Sequence, residues 1–221
     1  MEHWSERERP PRTTMAGRYC RLEPLDVERH AAELFEAYME APDERDWTYV
    51  TRHRPASLEE FRRELAMLAA SPDPLNFAVV DLASGQAVGT IALLRIDPSH
   101  GVIEVGGVIY SPRMQRKPTG TEAIYLLGCR VFDELGYRRF EWKCDSLNAR
   151  SMAAARRYGF QFEGIFRQAT VYHGRSRDTA WFSMLHSEWP RARVAFERWL
   201  DPDNFDEQGR QRRSLAELRE G

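Results

Sequence analysis

Hydrophobic residues recur along the chain at two spacings, one typical of strands and one typical of helices. Residues 19–25 alternate as a half-buried strand does, and Asp26 stands where it can cap a helix with apolar residues every three or four positions. Ser57 and Glu60 form a capping box that opens a second helix. The first quarter of the chain is therefore predicted to be a strand followed by two helices.

Three strand-like runs come next, over residues 76–82, 86–96 and 101–110, and clusters of turn residues separate them. This spacing predicts an antiparallel meander. Residues 119–136 then carry apolar side chains at helical spacing, and Gly136 stands where a helix C-cap glycine belongs. A long helix is thus expected directly after the third strand of the meander.

The second half of the chain contains both kinds of element. Residues 139–144 predict a short strand, residues 148–158 a helix that Gly159 ends, and residues 160–172 with 177–185 a hairpin. The order of all these elements favours a mixed α/β layer fold, in which helices pack against a central sheet.

The two ends of the chain differ from this central region in composition. Residues 1–17 combine charged side chains with two prolines and predict a flexible leader, so one domain is expected over residues 18–187. Residues 188–221 hold one helical stretch and a polar tail. This C-terminal extension could pack on the domain or on a second copy of the chain, which leaves a homodimer open.

Overall composition argues against several classes of protein. The chain has 221 residues, of which 42% are hydrophobic and 30% charged, and no apolar run approaches the roughly 20 residues that cross a bilayer. The N-terminus lacks the apolar stretch of a secretory signal, so we expect a cytoplasmic protein without membrane contact. With a net charge of −2, no overall field attracts nucleic acid. Three widely spaced cysteines predict neither disulfides nor a metal site.

The segment from Gly106 to Leu127 is chemically the most informative one. It is expected to run from a strand through a loop into a helix, and a helix start offers phosphate oxygens unpaired N–H groups and the positive end of the helix dipole. Arg113, Arg116 and Lys117 add positive charge to the loop. The alternative is a solvated connector with three incidental basic side chains, and the loop alone does not decide between the two.

Two motifs resemble those of the GNAT acetyltransferases, in particular the branch typified by the RimJ/RimL ribosomal-protein N-terminal acetyltransferases. Residues 115–123, Gln-Arg-Lys-Pro-Thr-Gly-Thr-Glu-Ala, resemble the family's loop Gln/Arg-x-x-Gly-x-Gly/Ala followed by Thr-Glu-Ala. Residues 148–160 resemble its Asn-x-x-Ser/Ala helix, which ends in Lys/Arg-x-Gly-Phe. The first motif departs from the family at Pro118, where glycine is usual and where proline removes one N–H donor.

This resemblance implies a fold, a cofactor and a set of site residues. The implied fold is a mostly antiparallel mixed sheet of six to seven strands, splayed to admit acyl-coenzyme A, with about four flanking helices. The implied cofactor is acetyl-coenzyme A (acetyl-CoA), without a metal. The predicted cofactor-binding residues are Val108, Ile109, Tyr110, Arg113, Gln115, Arg116, Lys117, Thr119, Gly120, Thr121, Asn148 and Ser151.

Two residues are predicted to be catalytic. Glu104 shares a strand face with Gly106, which leaves space beside the carboxylate, and burial would raise its pKa towards the range of a general base. The alternative for Glu104 is a solvated side chain or a salt-bridge partner. By resemblance, Ser151 takes the role of general acid, because Ala155 stands where many relatives have tyrosine. Ser151 could equally be only a small helical residue, and Asn148 only a helix cap.

The resulting hypothesis is an N-acyltransferase that moves an acetyl group from acetyl-CoA to a primary amine, on a small molecule or on a peptide or protein N-terminus. Hydrolase and zinc-site motifs do not occur in the sequence. Three alternatives stay open: a coenzyme A-binding module without catalysis, a transferase that uses succinyl-CoA, and a nucleic-acid-associated protein. The last would use the basic residues Arg113, Arg116, Lys117, Arg138 and Arg139. Trp142 and Trp181 could line an amine pocket, although aromatic strand residues more often belong to a core.

Overall fold

Eight strands of the computed structural model, which describes residues 4–220, pair into one sheet. Their bounds are β1 (Met15–Ala16), β2 (Cys20–Pro24), β3 (Leu75–Asp81), β4 (Ala87–Asp97), β5 (Val102–Tyr110), β6 (Arg139–Asp145), β7 (Gln161–Tyr172) and β8 (Arg175–Leu185). In the order β1-β2-β3-β4-β5-β6-β8-β7, all neighbours are antiparallel except β5 and β6. The predicted mixed, mostly antiparallel sheet is confirmed. It has eight strands where six to seven were expected, because β1 is only two residues long and too short to show alternation.

Six α-helices flank the sheet within residues 4–220. They are α1 (Val27–Met39), α2 (Leu58–Ala70), α3 (Pro118–Gly128), α4 (Ala149–Tyr158), α5 (Trp189–Trp199) and α6 (Leu215–Glu220). About four were expected, and α5 and α6 are the two in the C-terminal extension. The predicted caps are present, since Asp26 accepts from the N–H of Arg29 and Ser57 from the N–H of Glu60. The long helix predicted after β5 is α3 continued by a π-helical turn over Cys129–Glu134.

The helices form one layer on each side of the sheet. Alternation along β3 places Phe77 and Val79 in the larger apolar cluster, with α3, α5 and α6, and Ala78 and Val80 in the smaller one, with α1 and α2. The chain is therefore a three-layer α/β fold whose larger core lies under α3. Within residues 4–220, no helix is long and apolar enough to span a membrane.

Residues 4–17, predicted to be a flexible leader, lie along the surface of the domain. The indole N–H of Trp4 donates to the carbonyl of Ser99 at 2.8 Å, the Tyr137 hydroxyl donates to the carbonyl of Glu8 at 3.1 Å, and Arg130 donates to the Thr13 hydroxyl at 2.9 Å. These bonds use partners from distant parts of the chain, so composition alone gives no sign of them.

One buried carboxylate ties the first residues of the domain to α3. Glu122 is 3% exposed and accepts backbone N–H bonds from Arg18, Tyr19 and Cys20 at 2.6–2.7 Å. Gly17 permits this approach, because a Cβ there would lie 2.3 Å from the carboxyl carbon of Glu122. The Thr-Glu-Ala extension of the first motif thus contains a residue that holds the fold together.

We expect Glu122→Gln to lower the free energy of unfolding by about 3 kcal/mol, because the amide leaves buried N–H donors without acceptors. Urea denaturation of both proteins measures the change. Glu59→Gln is the matched control, since Glu59 lies on the exposed side of α2 in a surface ion pair with Arg63 and should have little effect. Equal stability of Glu122→Gln and the unaltered protein would contradict the structural role.

Candidate functional site

Strands β5 and β6 separate halfway along their length. They pair in parallel over Val102–Val105 of β5, where the ladder between them ends, while β6 stays paired with β8 up to Asp145. Just beyond this point β5 is bulged between Gly106 and Ile109, and Gly107 has a φ of +58° that glycine adopts without strain. The predicted splay is therefore present, and residues 106–110 of β5 border the gap.

The end of β5 is held firmly on both sides of the sheet. Val108 packs against the larger core and Ile109 belongs to the smaller one. The Tyr38 hydroxyl donates to the carbonyl of Ile109 at 3.4 Å, and the Tyr110 hydroxyl donates to the carbonyl of Gly120 at 3.2 Å. The backbone of the predicted residues 108–110 therefore lines the gap from a fixed position.

A cavity of about 540 Å³ lies between the start of α3, the end of α4 and the C-terminal extension. None of the described residues that line it is acidic, and its basic lining residues are Arg116, Lys117, Arg157 and Arg210. No side chain caps α3, which begins at Pro118, so the N–H groups of Thr119 and Gly120 lack partners inside the helix. Positive side chains around an uncapped helix start form an arrangement suited to phosphate.

The loop residues predicted to bind the cofactor fall into two groups. Arg116, Lys117, Gly120 and Thr121 line this cavity. The other three side chains are engaged elsewhere. Arg113 donates to Glu40 and Gln86, Gln115 donates to Asp46 and to the carbonyl of Tyr110, and Thr119 donates to Asp81.

The motif glycine of this loop has a packing reason as well. A Cβ on Gly120 would lie 3.0 Å from the ring of Tyr110, so glycine allows the strand end and the helix start to approach closely. Pro118 occupies the first helical position, where its missing N–H removes one donor and its fixed φ suits the helix.

Glu104 is buried and ion-paired. It is 5% exposed, and its carboxylate lies 2.9 Å from the ammonium of Lys143 and 3.2 Å from the guanidinium of Arg95. Burial raises the pKa of Glu104, while Lys143 and Arg95 act in the opposite direction. Lys143 also lies 2.7 Å from Glu141 and 3.8 Å from the ring centroid of Trp181. Glu104 is therefore buried, as the prediction required, and it is also a salt-bridge partner, which was the alternative.

Ser151 and Asn148 lie at the start of α4, beside β6. The side-chain oxygen of Asn148 caps the helix by accepting from the N–H of Ser151 at 3.1 Å. The hydroxyl of Ser151 accepts from the indole N–H of Trp142 at 3.0 Å. Because the indole occupies one lone pair, the hydroxyl keeps its own proton for another acceptor.

Sequence reasoning missed two cations of the cavity. Arg157 belongs to the Lys/Arg-x-Gly-Phe motif, so the motif quoted for the family already contained the signal. No sequence pattern pointed to Arg210, because nothing in the polar tail indicates that the tail folds back onto α4. Of the five basic residues considered for nucleic acid, Arg138 donates to the carbonyl of His100, and Arg139 pairs with Glu141 and Glu163.

A second cavity, of about 400 Å³, lies between the α1–α2 connection and the turn of the β7–β8 hairpin. The rings of His53 and His173 lie 4.4 Å apart in this region. The same connection reaches the turn before α4, since the Tyr49 hydroxyl donates to the carbonyl of Leu147 at 3.1 Å. Within residues 4–220, no three His, Cys, Asp or Glu side chains form a group that could hold a metal ion.

This architecture, a splayed sheet with an uncapped basic helix start beside the splay, is that of an acetyltransferase fold. The chain belongs to the GNAT family, because the profile described as an acetyltransferase (GNAT) domain matches residues 20–161. The predicted family is therefore confirmed, and acetyl-CoA is the acyl donor that this family uses.

Individual relatives agree with this assignment. A crystal structure of a GCN5-related N-acetyltransferase from Brucella melitensis is 48% identical, covers 100% of both chains and has a TM-score of 0.98. A crystal structure of a candidate GNAT acetyltransferase from Chromobacterium violaceum shows 42% sequence identity, covers 86% of this chain and 94% of its own chain, and has a TM-score of 0.79. A candidate ribosomal N-acetyltransferase of Bacillus subtilis, YdaF, is 28% identical over 76% of this chain and 90% of its own length. The predicted RimJ/RimL-like character is consistent with that name.

The two groups of loop residues should differ in their effect on coenzyme A binding. We expect the double variant Arg116→Gln, Lys117→Gln to raise the Kd about tenfold or more, because two cations leave the cavity at the start of α3. Arg113→Gln should change the Kd much less, since Arg113 is bonded to Glu40 and Gln86. Isothermal titration calorimetry at fixed salt measures all three proteins. Equal losses in both variants would mean that Arg113 leaves Glu40 to bind the ligand.

Proposed function

We propose that this protein is an acyl-CoA-dependent N-acyltransferase that moves an acetyl group from acetyl-CoA to a primary amine in a ternary complex. One observation carries the proposal: the gap between β5 and β6 opens beside the uncapped, basic start of α3. A gap bordered by unpaired strand backbone suits an extended amide-containing chain, and the helix start suits phosphate. Coenzyme A combines these two chemistries in one molecule.

The residues present are suited to hold this ligand. Backbone groups of Val108, Ile109 and Tyr110 border the gap, and the N–H groups of Thr119 and Gly120 are open at the helix start. Arg116 and Lys117 supply positive charge next to them, while Asn148 fixes the position of α4 on the opposite side. Bound acetyl-CoA supplies the thioester carbonyl that an amine attacks.

Glu104 is proposed to accept the proton of the acceptor ammonium, directly or through a water. Burial raises its pKa towards the range of a general base. The space expected beside Gly106 is not open, because a Cβ there would lie 2.8 Å from a methyl group of Leu94. Ser151 is proposed to donate the proton of its hydroxyl to the departing sulfur, a modest aid because a thiolate is a fair leaving group. An N–H within residues 108–110 would stabilise negative charge on the carbonyl oxygen.

Neither Glu104 nor Ser151 lines the cavity between the α1–α2 connection and the β7–β8 turn, so we assign no acceptor pocket to it. A small-molecule amine and a peptide or protein N-terminus are both candidate acceptors. The name of the Bacillus subtilis relative, a candidate ribosomal N-acetyltransferase, makes protein N-termini the first class to test.

A thiol-release assay with acetyl-CoA and a panel of amines and N-terminal peptides, followed by mass spectrometry of the products, tests this function. Release of coenzyme A together with an acetylated amine supports it. Tight binding of acetyl-CoA without product from any acceptor would favour the non-catalytic module. Succinyl-CoA in parallel reactions distinguishes the donors, because a faster reaction with it would replace acetyl-CoA in the proposal.

We expect Glu104→Gln to lower kcat about 100-fold or more, because the acceptor loses its general base. The Kd for acetyl-CoA should stay nearly unchanged. Lys143 keeps Glu141 as a partner in this variant, so the fold should persist. Glu134→Gln is the control, since Glu134 pairs with Arg130 and takes no part in the ion pairs around Glu104. Unchanged turnover in Glu104→Gln would remove Glu104 as the base.

The pH dependence of kcat/KM should also reveal the ionisation of Glu104. A raised pKa means that Glu104 regains its proton at a higher pH than an ordinary glutamate, so kcat/KM should fall on acidification through a pKa above about 4.3. Two acceptors of different amine pKa separate this limb from deprotonation of the acceptor itself. The Glu104 limb stays at one pH with both acceptors and disappears in Glu104→Gln. A limb that only follows the amine pKa would contradict the assignment.

A further inference from the structure

The polar tail folds into a defined structure, the C-terminal hairpin, residues 204–213. The buried side chain of Asn204 donates to the carbonyls of Trp199 and Arg213 at 3.1 Å and accepts from the N–H of Arg213 at 3.0 Å. Phe205 and Gln211 form an antiparallel bridge across the hairpin. Asn204 therefore fastens both ends of the hairpin to the end of α5.

The hairpin also contacts Trp199, which lines the cavity at the start of α3. The side-chain oxygen of Gln211 accepts from the indole N–H of Trp199 at 2.8 Å, and the ring of Phe205 packs edge-on against Trp199 at 5.1 Å. Phe205, Arg210 and Gln211 all line the cavity. The C-terminal extension thus forms one wall of the site proposed for coenzyme A.

Arg157 reaches this cavity from the last turn of α4. Its guanidinium donates to the hydroxyl of Thr121 at 3.0 Å and lies 4.8 Å from the ring centroid of Trp199 and 5.2 Å from that of Tyr158. A hydroxyl acceptor and two aromatic rings hold the group in place without neutralising it. Arg157 is therefore a positioned cation on the wall of a cavity that has no acidic lining residue.

Arg210 stands on the hairpin wall. Its backbone N–H and its guanidinium both bond to Asp206, at 2.8 and 2.9 Å. Asp206 is not among the residues that line the cavity, so this bond orients Arg210 and offsets part of its charge. The exposed guanidinium keeps further N–H donors for a second anion.

The number of cations exceeds what a pyrophosphate requires. Arg116 and Lys117 lie beside the open N–H groups of α3, and together they can match the two negative charges of a pyrophosphate. Arg157 and Arg210 belong to other elements. Within residues 4–220 Arg157 has no acidic partner, and Arg210 has only Asp206, which lies outside the cavity lining. Coenzyme A carries one further phosphate, the 3′-phosphate of its ribose, with about two more negative charges at neutral pH.

We infer that Arg157 and Arg210 bind the ribose 3′-phosphate of coenzyme A, and that the C-terminal hairpin makes the enzyme selective for the phosphorylated cofactor. This inference rests on the proposed function, because it places the same ligand in the same cavity. It assigns a binding role to the extension, a part of the chain outside the residues 20–161 that the family profile matches.

Calorimetric titration of the full chain with coenzyme A and with 3′-dephospho-coenzyme A tests this inference. The unaltered protein should bind coenzyme A about tenfold or more tightly than the dephospho form, since charge-assisted bonds to one phosphate are lost. Arg157→Gln and Arg210→Gln should each weaken binding of coenzyme A about tenfold and leave binding of the dephospho form nearly unchanged.

Two further variants keep the test decisive. Arg212→Gln removes a charge two residues from Arg210 and outside the cavity lining, so it should bind both ligands as the unaltered protein does. Arg157→Lys keeps the charge and should retain most of the preference, which separates loss of the cation from damage to α4. Equal affinity of the unaltered protein for both ligands, or equal losses for both ligands in Arg157→Gln and Arg210→Gln, would overturn the inference. Failure to bind either ligand would instead overturn the proposed function on which it rests.

Discussion

The separation of β5 from β6 after Val105 is the constraint on which the rest of the site depends. Two parallel strands in the middle of a sheet would normally continue to pair, because unpaired backbone groups are costly to bury. Here β6 remains paired with β8, while β5 is bulged between Gly106 and Ile109 and the hydroxyl of Thr90 donates to the carbonyl of Gly107 at 3.4 Å. The peptide groups left along the gap need a partner. An extended ligand with amide groups can provide it, which is why we place the proposed site where the sheet opens.

The helix that follows β5 must then be held at the edge of this gap, and much of the first motif serves that purpose. Thr121 accepts from Arg157, Glu122 accepts three backbone N–H bonds, and Ala123 is fully buried in the core. Gly120 allows the ring of Tyr110 to approach the helix start. A segment that resembles a cofactor signature is therefore also a structural device. These contacts hold the first turn of α3 in place, so the N–H groups proposed to bind phosphate have a defined position.

Local signals predicted most of the fold, because helix caps, glycine stops and alternation depend on neighbouring residues. Asp26, Ser57 and Gly159 mark helix ends in the structure where the sequence predicts them. What could not be predicted depends on contacts between distant residues. Arg113 is drawn away from the loop by Glu40, and the leader and the C-terminal hairpin fold onto the domain through bonds that leave no periodic pattern. The same limit applies to the site. Arg116 and Lys117 were predicted because they lie in the motif loop, whereas Arg157 and Arg210, which reach the cavity from other elements, were not.

Glu104 shows how one environment can serve both stability and chemistry. A single buried ammonium, that of Lys143, lies between the two carboxylates of Glu104 and Glu141, and Arg139 pairs with Glu141 as well. Arg95 adds a second cation next to Glu104, but its side chain is 64% exposed and solvent screens its charge. Burial disfavours the charged carboxylate and is the main reason why the pKa of Glu104 is raised, while Lys143 and Arg95 oppose this shift without reversing it. The lysine that makes burial of the carboxylate tolerable therefore leaves Glu104 with a raised affinity for a proton, and a raised proton affinity is what a general base requires.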